Sequence, residues 1–302
     1  MFEEMENMNT GKPEIENECL FEVLPDVALK QSIDVDDIRK ISHIPCASSD
    51  GFWISNHKKL LLVLKNGETL FRQKGFLTGA EFPYVHSVTK TEDMIFIDQK
   101  HNICELEKEE TTSRILIRKS KPWQPCSVFC SFLNGNLLIG MWRRDTDTSI
   151  VSRFDRSGRH IQSFQYDETG ESLYKKALYI TENQNSDVVV SDLWYGVVVV
   201  NRNGKHRFSY KGPPSVRRLS PHGVCTDALM HILICDYNTS SVHMIDKDGR
   251  FLRYLLNKKH GIKEPRSICY DYENHLVWVG SKGKRNNLFS YRYINRKVLS
   301  KF

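Results

Sequence analysis

A short apolar run that ends on a polar or turn-forming residue recurs six times along the 302-residue chain, and it limits the fold more than any other feature. It reads Phe52-Trp-Ile-Ser-Asn56, Met94-Ile-Phe-Ile-Asp98, Leu137-Leu-Ile-Gly-Met141, Val188-Val-Val-Ser-Asp192, Ile232-Leu-Ile-Cys-Asp236 and Val277-Trp-Val-Gly-Ser281. Its final positions step by 42, 43, 51, 44 and 45 residues. Runs this short, rich in β-branched and aromatic residues, suit strands buried on both faces. The long step is explained by an insertion around residues 166–176.

A second motif recurs between these runs: an apolar residue, any residue, Lys or Arg, a turn former, then Gly. It appears as Val63-Leu-Lys-Asn-Gly67, Phe154-Asp-Arg-Ser-Gly158, Val200-Asn-Arg-Asn-Gly204 and Ile245-Asp-Lys-Asp-Gly249. The glycines lie 91, 46 and 45 residues apart, so one repeat lacks the turn. Glycine after Asn, Asp or Ser supplies the positive φ that a tight hairpin needs. A weaker mark opens several repeats: Pro125-Cys-Ser-Val128, Pro221-His-Gly-Val224 and Pro265-Arg-Ser-Ile268. Proline is tolerated at the first residue of a strand, where no ladder donor is lost.

A unit of roughly 45 residues with four short strands and no room for a helix describes a propeller blade. The expectation is an all-β, six-bladed β-propeller over residues 25–302, preceded by an acidic tail at 1–24. The last repeat offers only three clear strands, while Val27-Ala-Leu-Lys-Gln-Ser-Ile33 alternates ahead of the first. This N-terminal segment is expected to close the ring as the outer strand of the last blade, leaving no open edge. Closure by 298–300 is the alternative.

Composition narrows the setting. The first 20 residues hold six Glu and one Lys, against a net charge of +6 for the whole chain. No secretory signal opens it, and its aliphatic runs are too short to span a bilayer. The eight cysteines contain no Cys-x-x-Cys pair and no zinc-finger spacing, so buried free thiols in a reducing cytoplasm are expected.

Several stretches resemble the NHL-repeat propellers at the C-terminus of tripartite-motif proteins, in particular molluscan-type relatives. They include Gln165-Tyr-Asp-Glu-Thr-Gly170, Tyr179-Ile-Thr-Glu-Asn183, Val188–Asp192, Val197-Val-Val-Val-Asn-Arg-Asn-Gly-Lys205, Phe208-Ser-Tyr-Lys-Gly-Pro-Pro-Ser215 and Ile245-Asp-Lys-Asp-Gly-Arg-Phe-Leu-Arg-Tyr254. The resemblance implies a recognition module. The Asn-His pair that usually opens the third strand is replaced, giving Asn238-Thr-Ser-Ser-Val242, and no RING, B-box or coiled coil is present, so any ubiquitin-ligase role would be indirect.

In such a ring, the loop after the second strand and the loop between blades open on one face. Those loops are basic and aromatic here, and the candidate partner-binding residues are Trp123, Trp142, Arg143, Arg144, Trp194, Tyr195, Arg217, Arg218, Tyr237, Lys282 and Arg285. The leading expectation is a monomeric protein-binding module, with a ubiquitination substrate as partner and no cofactor, membrane or catalysis. Single-stranded RNA, which wants phosphate neutralisation plus base stacking, is the alternative. A metal-dependent lactonase or lyase ranks third. Asp98, Asp192 and Asp236 end equivalent strands, and recurrence argues that they serve turns. His86, His222 and His243 are expected as packed side chains.

Overall fold

The structure is a computed structural model that describes residues 19–35, 38–45, 51–56, 59–74, 85–108, 112–283 and 287–298. Six antiparallel sheets follow one another along the chain, five of four strands and one of three, with a single 3-10 turn at Lys258–His260. This is the six-bladed propeller that the repeat requires. The fourth blade shows the rule: Ala177–Glu182 is innermost, then Val188–Asp192, Gly196–Val200 and His206–Tyr210. Its first three strands are buried along their whole length and the outer one alternates.

The ring closes through its N-terminus. Cys19–Ile33 pairs antiparallel with Leu288–Val298 as the outer strand of the sixth blade, from Cys19↔Val298 to Ile33↔Leu288. That strand begins six residues before the expected domain start, and residues 1–18 lie outside the described ones. The chain then crosses to blade one, where the described sheet is Gly51–Ser55, Lys59–Leu64 and Thr69–Lys74, and His43 bridges Ser55 on its inner edge. Ile33, Val35, Ile38, Ile41 and Ile44 bury themselves between the first and last blades. Asn287 clamps the crossing: its side chain accepts from Val35 N at 3.1 Å and donates to the Ile38 carbonyl.

The hairpin turns explain the recurring glycine. In blade four the Asn201 side chain accepts from the Asn203 and Lys205 amides, both at 3.0 Å, and Gly204 takes φ +86°. A Cβ there would sit 2.5 Å from Phe164 of the preceding blade, so the glycine serves both the turn and the contact between blades.

The recurring aspartates also serve the ring. Asp192 accepts from the amides of Lys175, Lys176, Trp194 and Tyr195. Asp236 does the same for Ser220 and Asn238. Each carboxylate ties the loop between blades to the loop after the second strand. Among the described residues, six cysteines are free and buried, and no helix is long and apolar enough to cross a membrane.

Candidate active site at the upper end of the channel

Strand order puts the loops between blades and those after each second strand on one face, called upper here. The innermost strands begin at that face. Near the upper ends of these strands stand His43 in blade one, His86 in two, Tyr179 in four, His222 in five and Arg266 just before the inner strand of six.

These side chains form a connected chain of rings. The centroids of His43 and His86 are 4.8 Å apart, those of His43 and Tyr179 6.1 Å, and those of Tyr179 and His222 6.2 Å. His222 stacks on Tyr237 at 5.1 Å. The Arg266 guanidinium lies over that same Tyr237 ring at 4.7 Å, and Lys40 Nζ lies 5.6 Å from its centroid. The Tyr179 hydroxyl donates to the Ser42 carbonyl of blade one at 2.9 Å, a bond from blade four to blade one that constricts the axis. Below it the six inner strands enclose only about 40 Å³, lined by His43, His86, Val128, Ile180, Cys225 and Cys269. That is room for a water and not for a ligand. On the same face a cleft of about 580 Å³ runs between blades five and six beside Tyr237 and Glu264, lined also by Asn238, Ser240, Lys258 and Lys263.

Burial sets the chemistry of the imidazoles. His222 is 8% exposed, and its Nδ1 donates to the Ser220 carbonyl at 3.1 Å, which leaves Nε2 as the acceptor. Burial, opposed by that bond and reinforced by the charge of Arg266, lowers its pKa to about 4. His43 lies well below the ordinary histidine value, because of burial and the neighbouring His86. Both are neutral bases at pH 7. Cys126 is not a nucleophile here: its thiol donates to the Gly140 and Ala177 carbonyls at 3.2 Å, and burial pushes its pKa up to about 12.

Charge at the mouth is unbalanced. Glu264 accepts from the Tyr237 hydroxyl at 2.8 Å and from Lys282 Nζ at 2.8 and 3.0 Å, and its carboxyl sits below the usual range through those bonds. The Lys40 ammonium is lowered by burial and by the repulsion of Arg266.

Only part of the face expected from the loops gathers here. Tyr237 and Lys282 do. Trp194, 55% exposed, forms a separate cluster with Lys175 at 4.7 Å and Arg218 at 5.0 Å, beside exposed Tyr195. Trp142 is buried, with Nε1 donating to Asp147 at 3.1 Å and Lys176 over its ring. Arg143 pairs with Asp145, while Arg144 and Arg217 are exposed. Trp123 lines a different hollow, between blades two and three. Arg285 lies outside the described residues. His86, His222 and His243 are all packed as expected, His243 inside blade five with Nδ1 2.9 Å from the Tyr210 hydroxyl, and His86 and His222 beside the axis. The loop criterion missed His43, His222, Arg266 and Lys40. The proline marks at Pro221-His222 and Pro265-Arg266 pointed at two of them.

No family model and no curated protein matches the sequence. Solved structures do match in shape. A gluconolactonase from Xanthomonas campestris aligns at TM-score 0.66 and 13% identity, over 89% of this chain and 91% of that one. Virginiamycin B lyase from Staphylococcus aureus aligns at TM-score 0.60 and 12% identity, over 89% and 99%. A histidine-to-alanine variant of that lyase, solved with Quinupristin, is described as catalytically inactive. Regucalcin from Agrobacterium tumefaciens, described as calcium-binding, aligns at TM-score 0.62 and 12% identity, over 90% and 98%.

The likeness itself carries the ring alone. Yet the propellers of this shape include a lyase and a gluconolactonase, and this corrects the expectation of a partner-recognition module without catalysis. A calcium site does not fit the residues present. Among the described residues no three His, Cys, Asp or Glu side chains come together to hold a metal. The mouth offers imidazoles, phenols and cations, whereas a hard cation wants several oxygens, and Glu264 is already held by Lys282 and Tyr237.

Proposed function

We propose that the chain is an enzyme of lactonase or lyase type, opening a cyclic ester at the upper end of the channel with His222 as general base. One observation carries this reading: a buried neutral imidazole with its acceptor nitrogen unspent, stacked against the ring that also bears Arg266 and Lys40. Residues that serve the ring recur from blade to blade, as the aspartates do. The axial residues are not uniform, with Tyr179 and Arg266 beside three histidines, as a site with more than one chemical role requires. The inactive histidine variant of the similar lyase supports the same choice of residue type.

The chemistry is proton transfer. In hydrolysis, His222 Nε2 takes a proton from water attacking the carbonyl carbon, the acyl C–O bond breaks, and the leaving alkoxide oxygen receives the proton. In elimination, it takes a proton from the carbon beside the one that bears the ester oxygen. A C=C bond forms as the alkyl C–O bond breaks, the oxygen leaves as a carboxylate, and the imidazole then gives its proton to water. Cations at the mouth stabilise the charge that develops on oxygen. The test is turnover of a panel of cyclic esters followed by NMR, which separates a hydroxy acid from an unsaturated acid as product. Wild type is expected to open one class, and His222→Ala to lose about a hundredfold or more in rate. A wild type that opens none contradicts the proposal.

NHL-type descent of the repeats remains a reading of the scaffold, supported by the glycine turns at equal spacing. A cytoplasmic setting is supported by the six buried free thiols.

A further inference from the structure

The charge at the mouth leads one step beyond the reaction class, and this step rests on the catalytic reading above. Three buried or half-buried arginines elsewhere in the ring have carboxylate partners, and a fourth, Arg253, gives its guanidinium to the Leu24 and Pro25 carbonyls. Arg153 meets Glu182 at 2.9 Å, Arg207 meets Asp187 and Asp248, and Arg156 meets Glu105 at 2.5 Å. Arg266 is different. Among the described residues no carboxylate lies within ion-pair reach of its guanidinium, and its buried Nε has no hydrogen-bond partner. The guanidinium lies over the Tyr237 ring, near enough to Lys40 and His222 for its charge to act on both.

Lys40 shares that ring and likewise has no carboxylate within ion-pair reach among the described residues. The carboxylate nearest this group, Glu264, is committed to Lys282 and the Tyr237 hydroxyl. Among the described residues the Tyr237 ring thus has three cations around it, Lys40, Arg266 and Lys282, against Glu264, while the buried Asp236 carboxylate just before it is taken up by the Ser220 and Asn238 amides. A half-buried guanidinium without a partner costs stability unless something else fills the place. Two of these cations have no carboxylate of their own, and one is a planar fork whose paired N–H donors suit the two oxygens of a carboxylate.

We propose that the substrate of this site carries a carboxylate, received by Arg266 and Lys40 over the Tyr237 ring. The anchored anion then lies beside His222, which stacks against the same ring. Arg266 is the anchor, Lys40 supplies the second charge, and Tyr237 holds cations and base in one frame.

Isothermal titration at low ionic strength tests this with succinate, with dimethyl succinate as the uncharged control and inorganic phosphate as a competing anion. Succinate is expected to bind the wild type and the ester is not. Arg266→Gln weakens succinate tenfold or more, and Lys40→Gln weakens it at least threefold, so the proposal stays testable if one variant fails to fold. Equal affinity in wild type and either folded variant overturns it. So does an ester that binds as well as succinate, or phosphate that binds where succinate does not. Succinate binding without ring opening of any ester removes the catalytic reading and leaves the anion site. Ring opening that succinate does not inhibit removes the anion site and leaves the catalytic reading.

Discussion

The two faces of the ring handle charge in opposite ways. On the lower face, which carries the hairpin turns, cations are matched within and across blades: Arg153 with Glu182, Arg207 with Asp187 and Asp248, Arg114 and Arg156 with Glu105. At the upper end of the axis Arg266 and Lys40 share an aromatic ring, and neutral imidazoles are buried beside them. The first pattern stabilises the ring. The second costs stability, and a fold keeps such an arrangement where a ligand or a reaction uses it.

The sharpest break of that contrast is on the lower face. Glu182 and Arg153 expose only 1% and 7% of their side chains, and Glu182 also accepts from Ser131. Glu182→Ala leaves the guanidinium buried without its partner and is expected to cost about 3–5 kcal/mol in urea unfolding, with cyclic-ester turnover per folded molecule unchanged.

Acid is expected to act through the upper face. His222 has a folded pKa of about 4 against 6.5 for the free side chain, so between those pH values the unfolded chain binds the proton that the folded one refuses. Stability therefore falls as pH drops from 6.5 and levels off below 4, by about 3 kcal/mol for this residue. His43 and His243 shift in the same direction and add to it. Urea midpoints at pH 7 and pH 4.5 measure the loss, and His222→Gln should reduce it.

Gly204→Ala forces a side chain into φ +86° and within 2.5 Å of Phe164. About 2 kcal/mol of destabilisation is expected in the same assay. The smallest effect belongs to Arg143→Ala, whose exposed pair with Asp145 is screened by water, so the urea midpoint is expected to stay at the wild-type value. A large loss there would blur the division between the faces.

The blades were legible in the sequence because each strand and turn has the same job six times over, and repetition is visible without any alignment. Closure by Val27–Ile33 could be anticipated because one blade was short of a strand. The site resisted the same reading. Its residues stand near the heads of inner strands at slightly different places, and the histidines among them have different neighbours in sequence, so no motif joins His43, Tyr179, His222 and Arg266. Lys40 lies in the crossing between the first and last blades, where nothing repeats. Basic and aromatic loops led to Tyr237 and Lys282, which do belong to the mouth. They led equally to Trp142, which is buried, and to Trp123, which faces another hollow. Loop composition records solubility as well as binding, and only the path of the inner strands separates them.

The central claim is that His222 is a neutral base at work, and the pH profile of ring opening tests it most directly. The account predicts a kcat/KM that stays level from pH 8 to 5 and halves near pH 4, where the imidazole takes its proton, together with loss of that activity in His222→Ala. A profile that falls with a midpoint near 6.5, or an alanine variant with the wild-type rate, would contradict it.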